Sequence, residues 1–87
     1  MSEFQYDSEK SRSNLKKHGI DFEQARTLWG DPNLVTISAR SDDERRSLVI
    51  ARLNDQLWSA IVTDRDDEIR IISVRQSRAA EVELYES

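Results

Sequence analysis

The sequence predicts an α+β fold in which a short N-terminal strand, two helices and a short C-terminal helix accompany an antiparallel sheet of about four strands. Helix start and stop signals fill the first third of the chain, and short β-branched runs separated by turn residues follow. Parallel neighbours need a connection of a dozen or more residues, so these close turns favour antiparallel pairing. The 87 residues are 37% hydrophobic, which suffices for one small core. We therefore expect a single domain over residues 1–87.

A short strand and a first helix are predicted at the start of the chain. Phe4 and Tyr6 alternate with polar residues, as in a strand. Asp7 is a suitable helix N-cap, and Gly19 is expected to end the helix after His18. This helix either lies loosely on the surface or uses its polar side chains for contacts, because its inward positions are mostly polar: Ser11, Asn14, Leu15 and His18. We expect Asn14 to cap or bridge locally within this helix.

The second helix is predicted to contribute more to the core. Asp21 and Gln24 have the spacing of a capping box, and Gly30 to Pro32 end the helix. Its apolar residues recur with helical periodicity. We expect its apolar residues and two other aromatic residues to form a core rather than a base-stacking platform: Tyr6, Phe22, Ala25, Leu28, Trp29 and Trp58.

Four strands and a helix are predicted after residue 33. The strands cover residues 34–39, 48–53, 57–63 and 68–75, with turns at 41–44, at Asn54-Asp55 and at 64–67. The helix covers residues 77–86 and carries its charges against the helix dipole. It should therefore fray or be held by docking, with Ala79, Val82 and either Leu84 or Tyr85 on its inner side.

The strand over residues 68–75 is rich in isoleucine and valine and is predicted to be central. Strict alternation places Ile69, Ile71, Ser73 and Arg75 on one face and Arg70, Ile72 and Val74 on the other. An arginine on such an apolar strand needs a partner. Arg70 and Arg75 either pair with acids such as Asp66, Asp67 or Glu81, or project into a cleft that binds an anion.

Composition excludes several functional classes. The chain has no cysteine and one histidine, which argues against disulfides and a structural zinc site, and we expect no metal or cofactor. No apolar run approaches a membrane span and no signal peptide is recognisable, so we expect a soluble, cytoplasmic protein. The net charge of −4 and the lack of a basic recognition helix argue against direct DNA binding. Lys16, Lys17 and His18 nevertheless form a local basic group.

Three separated motifs make the chain similar to the BrnT toxin family. They are Phe4-Gln-Tyr-Asp-x-x-Lys10, then Asn14-x-x-Lys-His-Gly-Ile-x-Phe-x-x-Ala25, and Ile69-Arg-Ile-Ile-Ser-x-Arg75 followed by Glu81 and Tyr85. The resemblance implies a RelE-like fold and a ribonuclease that inhibits translation. It also implies an antitoxin partner of BrnA type, whose ribbon-helix-helix part binds operator DNA, so that the toxin meets DNA only through its antitoxin.

The segment after residue 75 departs from the family pattern. Positions that are usually basic are occupied by neutral or acidic residues, which removes phosphate partners: Gln76, Ala79, Ala80, Val82, Glu83 and Leu84. An alternative function therefore stays open, namely a catalytically weak binding module that pairs with a DNA-binding antitoxin and co-regulates its operon.

The candidate catalytic residues are His18, Lys17, Arg70, Arg75 and Tyr85. Metal-free RNA cleavage needs a base for the 2′-hydroxyl, cations at the phosphate and an acid for the leaving 5′-oxygen. His18 suits either proton transfer at neutral pH, and Lys17 and the two arginines suit the phosphate. Tyr85 could stack a base or donate a proton. The alternatives are structural: His18 interacting with the helix dipole, and Lys17 solvated at the helix end.

Overall fold

Residues 3–40, 45–65 and 68–87 are described in the computed structural model, and they form five strands and three helices. The strands are β1 (Glu3–Gln5), β2 (Val35–Arg40), β3 (Arg45–Leu53), β4 (Gln56–Arg65) and β5 (Glu68–Gln76). The helices are α1 (Ser8–His18), α2 (Phe22–Ala25), which continues as a 3₁₀ turn over Arg26–Gly30, and α3 (Ala79–Glu86). The α+β class and the C-terminal helix are therefore confirmed. Within this part of the chain no helix is long and apolar enough to cross a membrane.

The five strands form one mixed sheet in the order β1-β5-β4-β3-β2. β2 to β5 pair antiparallel with their neighbours, whereas β1 pairs parallel with the start of β5, Phe4 opposite Ile69. The expectation of a purely antiparallel sheet of about four strands is therefore wrong for β1. Short turns determine the pairing of consecutive strands only, and β1 is separated from β5 in sequence by two helices and three strands. The predicted turn at 41–44 and the second half of that at 64–67 lie outside the described residues.

The hairpin between β3 and β4 has the two-residue turn that the sequence predicts. Asn54 and Asp55 both have positive φ, at 51° and 66°. Such angles at both central positions belong to a type I′ turn, whose twist matches that of the flanking strands. Asparagine and aspartate tolerate this conformation better than other non-glycine residues.

A bulge interrupts the pairing of β5 with β4. Val62 lies opposite Ile71, and its neighbour Ile61 lies opposite Ser73, so Ile72 has no partner in β4. One extra residue on one strand shifts the alternation of its side chains by one position. The residues of β5 after the bulge therefore face the sides opposite to those that strict alternation predicts.

The bulge brings Ile71 and Val74 to the same face, where their exposed fractions are 1% and 0%. The predicted division of the strand between two faces is therefore wrong beyond Ile71. Directly opposite residues of an antiparallel pair share a face. Arg70, Ser73 and Arg75 lie opposite Thr63, Ile61 and Ser59 of β4, and consequently all three project from the other face.

α1 and α2 cover the face that carries Ile71 and Val74, which we name the core face. The buried cluster between them is Ile20, Phe22, Ala25, Leu28, Val49, Ala51, Ala60, Val62, Ile71 and Val74. Full burial of a side chain such as Phe22 contributes about 1.5–3 kcal/mol. Tyr6, Trp29 and Trp58 pack against the cluster, so the predicted core set is confirmed.

α1 is held to the sheet by polar contacts. Ser11 and Asn14 are buried, whereas the one large apolar residue of the predicted inner face, Leu15, is 44% exposed. The Ser11 hydroxyl accepts a hydrogen bond from the Phe22 N–H at 2.9 Å, and the Asn14 side chain bonds the backbone of Val74. Of the two predicted alternatives, the use of polar side chains is therefore confirmed. The expectation that Asn14 bridges only locally is wrong, because its partner in β5 is sixty residues away.

α3 packs against part of the opposite face, which we name the α3 face. Glu81 is buried, and Val82 and Tyr85 are half-buried, whereas Ala79 is exposed and Leu84 is 47% exposed. The expected inner side is thus right for Val82 and Tyr85 and wrong for Ala79. Polar contacts of Glu81 and Tyr85 hold the helix, so docking is confirmed as the alternative to fraying.

Candidate functional site

A pocket of about 190 Å³ lies where α1 crosses the edge of β5 that β1 leaves unpaired. Lys10, Asn14 and Lys17 recur every three or four residues along α1, so helical geometry places them on one side. The bulge supplies the opposite wall. The complete lining is Lys10, Ser13, Asn14, Lys17, His18, Ile72 and Ser73.

The pocket carries three basic side chains that make no hydrogen bond or ion pair with other described residues. No hydrogen bond or ion pair of the Lys10, Lys17 or His18 side chain is present among the described residues, and all three are exposed. The pocket lining includes no carboxylate. Exposed cations that form no close ion pair are available to an anion from solution, such as a phosphate group.

The carboxylate of Asp7 interacts electrostatically with Lys10, which lines this pocket, and with Arg70, which does not. The pKa of the Asp7 carboxyl lies below its usual value, mainly because the backbone N–H groups of Glu9 and Lys10 donate to it, and the charges of Lys10 and Arg70 add to the effect. Arg70 is exposed at the end of the segment of β5 that pairs with β1. Arg70 therefore extends the basic surface beyond the pocket, although it does not line the pocket itself.

Arg75 is bound to the C-terminal helix. Its Nη1 and Nη2 atoms lie 2.7 and 2.8 Å from the two carboxylate oxygens of Glu81, a bidentate ion pair in which both side chains are mostly buried. Ser59 Oγ and the backbone N–H of Arg78 also donate to Glu81, at 2.9 and 2.8 Å. The hydrogen bonds from Arg75 are the largest cause that lowers the pKa of Glu81 to about 2, while burial opposes them. The pairing of Arg75 with Glu81, one of the two predicted alternatives, is therefore confirmed.

Tyr85 is also engaged within the protein. Its hydroxyl donates to Asp31 Oδ2 at 2.7 Å, and the guanidinium of Arg52 lies 5.8 Å from the centre of its ring. The hydrogen bond to Asp31 raises the pKa of Tyr85. The pKa of Asp31 lies below its usual value. Burial raises this pKa, but hydrogen bonds from Tyr85 and from the backbone N–H groups of Arg52 and Asn33 outweigh burial and lower it. A phenol that already donates to a carboxylate is a poor proton donor to another group.

The structure thus brings together two of the five predicted site residues. Lys17 and His18 line the pocket between α1 and β5, and Arg70, Arg75 and Tyr85 do not. Sequence reasoning missed Lys10, Ser13 and Ser73 as part of this site. Lys10 could have been found from its spacing of seven residues, or two helical turns, before Lys17. Ser73 could not have been found in this way, because no sequence signal shows which part of β5 lies beside α1.

Comparison with known proteins identifies the family of the chain. A protein-family model described as ribonuclease toxin, BrnT, of type II toxin-antitoxin system matches residues 6–81. The match covers every residue of the pocket and extends to Glu81. No curated protein sequence matches the chain. The chain therefore belongs to the BrnT family of ribonuclease toxins from type II toxin-antitoxin systems.

Proposed function

We propose that this protein cleaves RNA without a metal ion and that the scissile phosphate binds in the pocket between α1 and β5. The observation that carries this proposal is the group of three basic side chains, Lys10, Lys17 and His18, which line one pocket and make no hydrogen bond or ion pair within the described residues. The proposal assigns no metal to this pocket, because its side chains are cations and hydroxyls rather than the carboxylates that magnesium prefers.

The proposed reaction is attack of a ribose 2′-oxygen on the adjacent phosphorus. A base removes the 2′-hydroxyl proton, the bond to the 5′-oxygen breaks, and the products are a 2′,3′-cyclic phosphate and a 5′-hydroxyl. His18 serves as the base or as the acid that protonates the leaving oxygen. Lys17 and Lys10 stabilise the charge on the phosphate, and Arg70 binds a neighbouring phosphate of the chain.

Arg75 and Tyr85 could take part in this reaction only after their present contacts break. Arg75 could bind a phosphate only after Glu81 released it, and Tyr85 could donate a proton only after it left Asp31. Both changes would require α3 to move from the sheet. In the closed arrangement we propose that Arg75 acts by holding α3 in place.

The proposed cellular role follows from family membership. Cleavage of cytoplasmic RNA would inhibit translation, and an antitoxin of BrnA type would hold the protein inactive. The antitoxin would bind operator DNA through a ribbon-helix-helix segment, so the toxin would contact DNA only through its partner. The net charge of −4 supports indirect contact, because a protein that binds duplex DNA broadly is usually basic.

A second candidate function is a catalytically weak module that pairs with the antitoxin and modulates its DNA binding. The engagement of Arg75 with Glu81 and of Tyr85 with Asp31 favours this function, because two of the predicted RNA-contacting groups are already occupied. The exposed carboxylates of Glu83 and Glu86 on α3 would also repel RNA at that end of the sheet.

One experiment separates the two functions. The purified protein is incubated at substoichiometric amounts with end-labelled RNA in EDTA, and its affinity for the product of the adjacent gene is measured in parallel. Multiple turnovers support the ribonuclease, and inhibition by that partner supports the antitoxin assignment. Absence of turnover together with nanomolar affinity for the partner would instead support the binding module.

A further inference from the structure

A second pocket, of about 290 Å³, lies on the core-face side of the sheet next to the end of α1. Every residue that lines it is uncharged, in contrast to the basic pocket described above. The lining consists of Gly19, Ile20, Gln24, Leu53, Asn54, Gln56, Trp58 and Gln76. Half of these residues carry side-chain amides, and one is a tryptophan.

Strand pairing explains why these side chains meet. Trp58 lies opposite Ala51 of β3 and opposite Gln76 of β5, and directly opposite residues share a face. Because Ala51 is small, the half-buried indole of Trp58 packs against the core and still reaches the pocket. Asn54 enters from the hairpin turn next to Leu53 and Gln56, which pair with each other.

The polar groups of this pocket are available to a ligand. Among the described residues the side-chain amides of Asn54 and Gln76 have no hydrogen-bond partner. The indole N–H of Trp58 has none either, and its nitrogen is not completely buried, since every fully buried side-chain nitrogen and oxygen in that part of the chain is satisfied. The amide oxygen of Gln24 accepts from the Asp21 N–H, and its amide nitrogen has no partner within the described ranges.

This combination of groups suits a nucleobase. An amide presents a donor beside an acceptor, which matches the edges of the bases, and an indole offers a surface for stacking. Single-stranded RNA is read in this way, with bases stacked on aromatic rings and hydrogen-bonded along their edges. A phosphate would find no cation here, so the pocket complements the basic one rather than duplicating it.

The two pockets are adjacent. His18 lines the basic pocket and Gly19 lines the uncharged one, and on β5 the corresponding residues are Ser73 and Gln76. Three residues of a strand span roughly 10 Å. Resting on the proposed function, we infer that the uncharged pocket binds a base of single-stranded RNA whose phosphate lies in the basic pocket. Trp58 stacks on this base, and Asn54 and Gln76 select it.

The test measures binding separately from cleavage. The probes are four homotetranucleotides of A, C, G and U with 2′-O-methyl riboses, which lack the attacking hydroxyl. A Trp29→Phe background leaves Trp58 as the one tryptophan of the chain, so that its fluorescence reports the pocket. We expect quenching by all four probes, with one bound at least about tenfold more tightly than the weakest.

Two substitutions then assign the selectivity. Asn54→Gly removes an amide at a position of positive φ that glycine adopts without strain, and Gln76→Ala changes an exposed side chain. Together they should reduce the tightest affinity about tenfold and abolish the preference, whereas Lys17→Met should weaken all four probes alike. Gln76→Ala alone should reduce the preference, and it serves as the test if the double variant does not fold.

Equal affinities for the four probes, an unchanged preference in both variants or absence of Trp58 quenching would overturn the inference. Cleavage of unmodified RNA by the same preparations separates it from the proposed function. If the protein cleaves RNA but binds the four probes equally, the base-binding inference is overturned and the proposed ribonuclease function is not. Base-selective binding without cleavage supports the pocket and removes the catalytic proposal.

Discussion

The side chain of Asn14 replaces a neighbouring strand for Val74. Asn14 Nδ2 donates to the Val74 carbonyl at 2.9 Å, and the Val74 N–H donates to Asn14 Oδ1 at 3.2 Å. Asn14 Nδ2 also donates to the Ile20 carbonyl at 2.8 Å. One amide therefore satisfies three buried backbone groups, two on the edge of β5 that β1 does not cover and one in the connection between α1 and α2. It joins α1 to β5 beside the basic pocket.

Replacement of Asn14 should destabilise the protein strongly. In Asn14→Leu the three backbone groups lose their partner, and each unsatisfied buried group costs about 1–3 kcal/mol. We expect the free energy of unfolding in urea to fall by about 3–4 kcal/mol after partial relaxation. Arg12→Leu, an exposed change on the same helix, should stay within about 0.5 kcal/mol of the original. Equal losses in the two variants would contradict a special role for Asn14.

Removal of the charge on Glu81 should loosen α3. Glu81→Gln keeps the shape of the side chain and leaves the mostly buried guanidinium of Arg75 without its counterion. We expect a loss of about 2–3 kcal/mol in the free energy of unfolding, because an unpaired buried charge costs more than a missing neutral hydrogen bond. Glu83→Gln on the exposed side of the helix is the matched control. A loss no larger than that of the control would show that the ion pair does not hold α3.

The same carboxylate should make stability depend on pH in the acid range. The pKa of Glu81 is about 2 in the folded protein and near 4.5 without its partners. A depressed pKa stabilises the fold above the unfolded value, and this contribution is lost as the pH falls from about 5 to about 2. The stability difference between the wild type and Glu81→Gln should therefore shrink over this window in urea titrations. A difference that is constant from pH 6 to pH 3 would argue against the assigned shift.

The hairpin turn offers a stabilising substitution. Asp55 has a φ of 66°, which costs an L-residue roughly 1–2 kcal/mol relative to glycine, less for aspartate. Asp55→Gly should raise the free energy of unfolding by about 0.5 kcal/mol, and Asp55→Ala should lower it by about 1 kcal/mol. Both variants lose the same charge, so each controls for the other. A more stable alanine variant would exclude the type I′ turn as the cause.

The parts of the fold that the sequence predicts correctly are those determined by residues close together in the chain. Asp7 and Gly19 cap α1 as expected, with the Asp7 carboxylate accepting from the Glu9 N–H at 2.8 Å and Gly19 at a φ of 80°. These features depend on neighbouring residues alone. The bulge at Ile72 depends on strand register, which strict alternation assumes rather than predicts. The parallel pairing of the three-residue β1 with β5 likewise depends on how α1 packs on the sheet, which neighbouring residues do not determine.

The site was predictable to a similar extent. Lys17 and His18 meet in the pocket because they are neighbours at the end of one helix, and sequence proximity sufficed to group them. Their grouping with Ser73 depends on where α1 crosses β5, and sequence proximity does not indicate that position. The sequence offers Glu81 as one of several partners for Arg75, because an arginine on an apolar strand needs a partner. Which acid pairs with Arg75 depends on how α3 docks on the sheet, and no local sequence pattern predicts that docking.

Cleavage of labelled RNA in EDTA by two neighbouring lysine variants and a histidine variant tests the central claim most directly. Lys17 lines the basic pocket and Lys16 does not, although both are exposed in the last turn of α1 and both methionine variants lose one positive charge. His18→Asn should lower the single-turnover rate by at least about 100-fold, as expected for the loss of a general acid or base. Lys17→Met should lower it by about 10-fold to 100-fold. Lys16→Met should remain close to the wild-type rate. Equal rates for the two lysine variants, together with full activity of His18→Asn, would contradict the assignment of RNA cleavage to the pocket between α1 and β5.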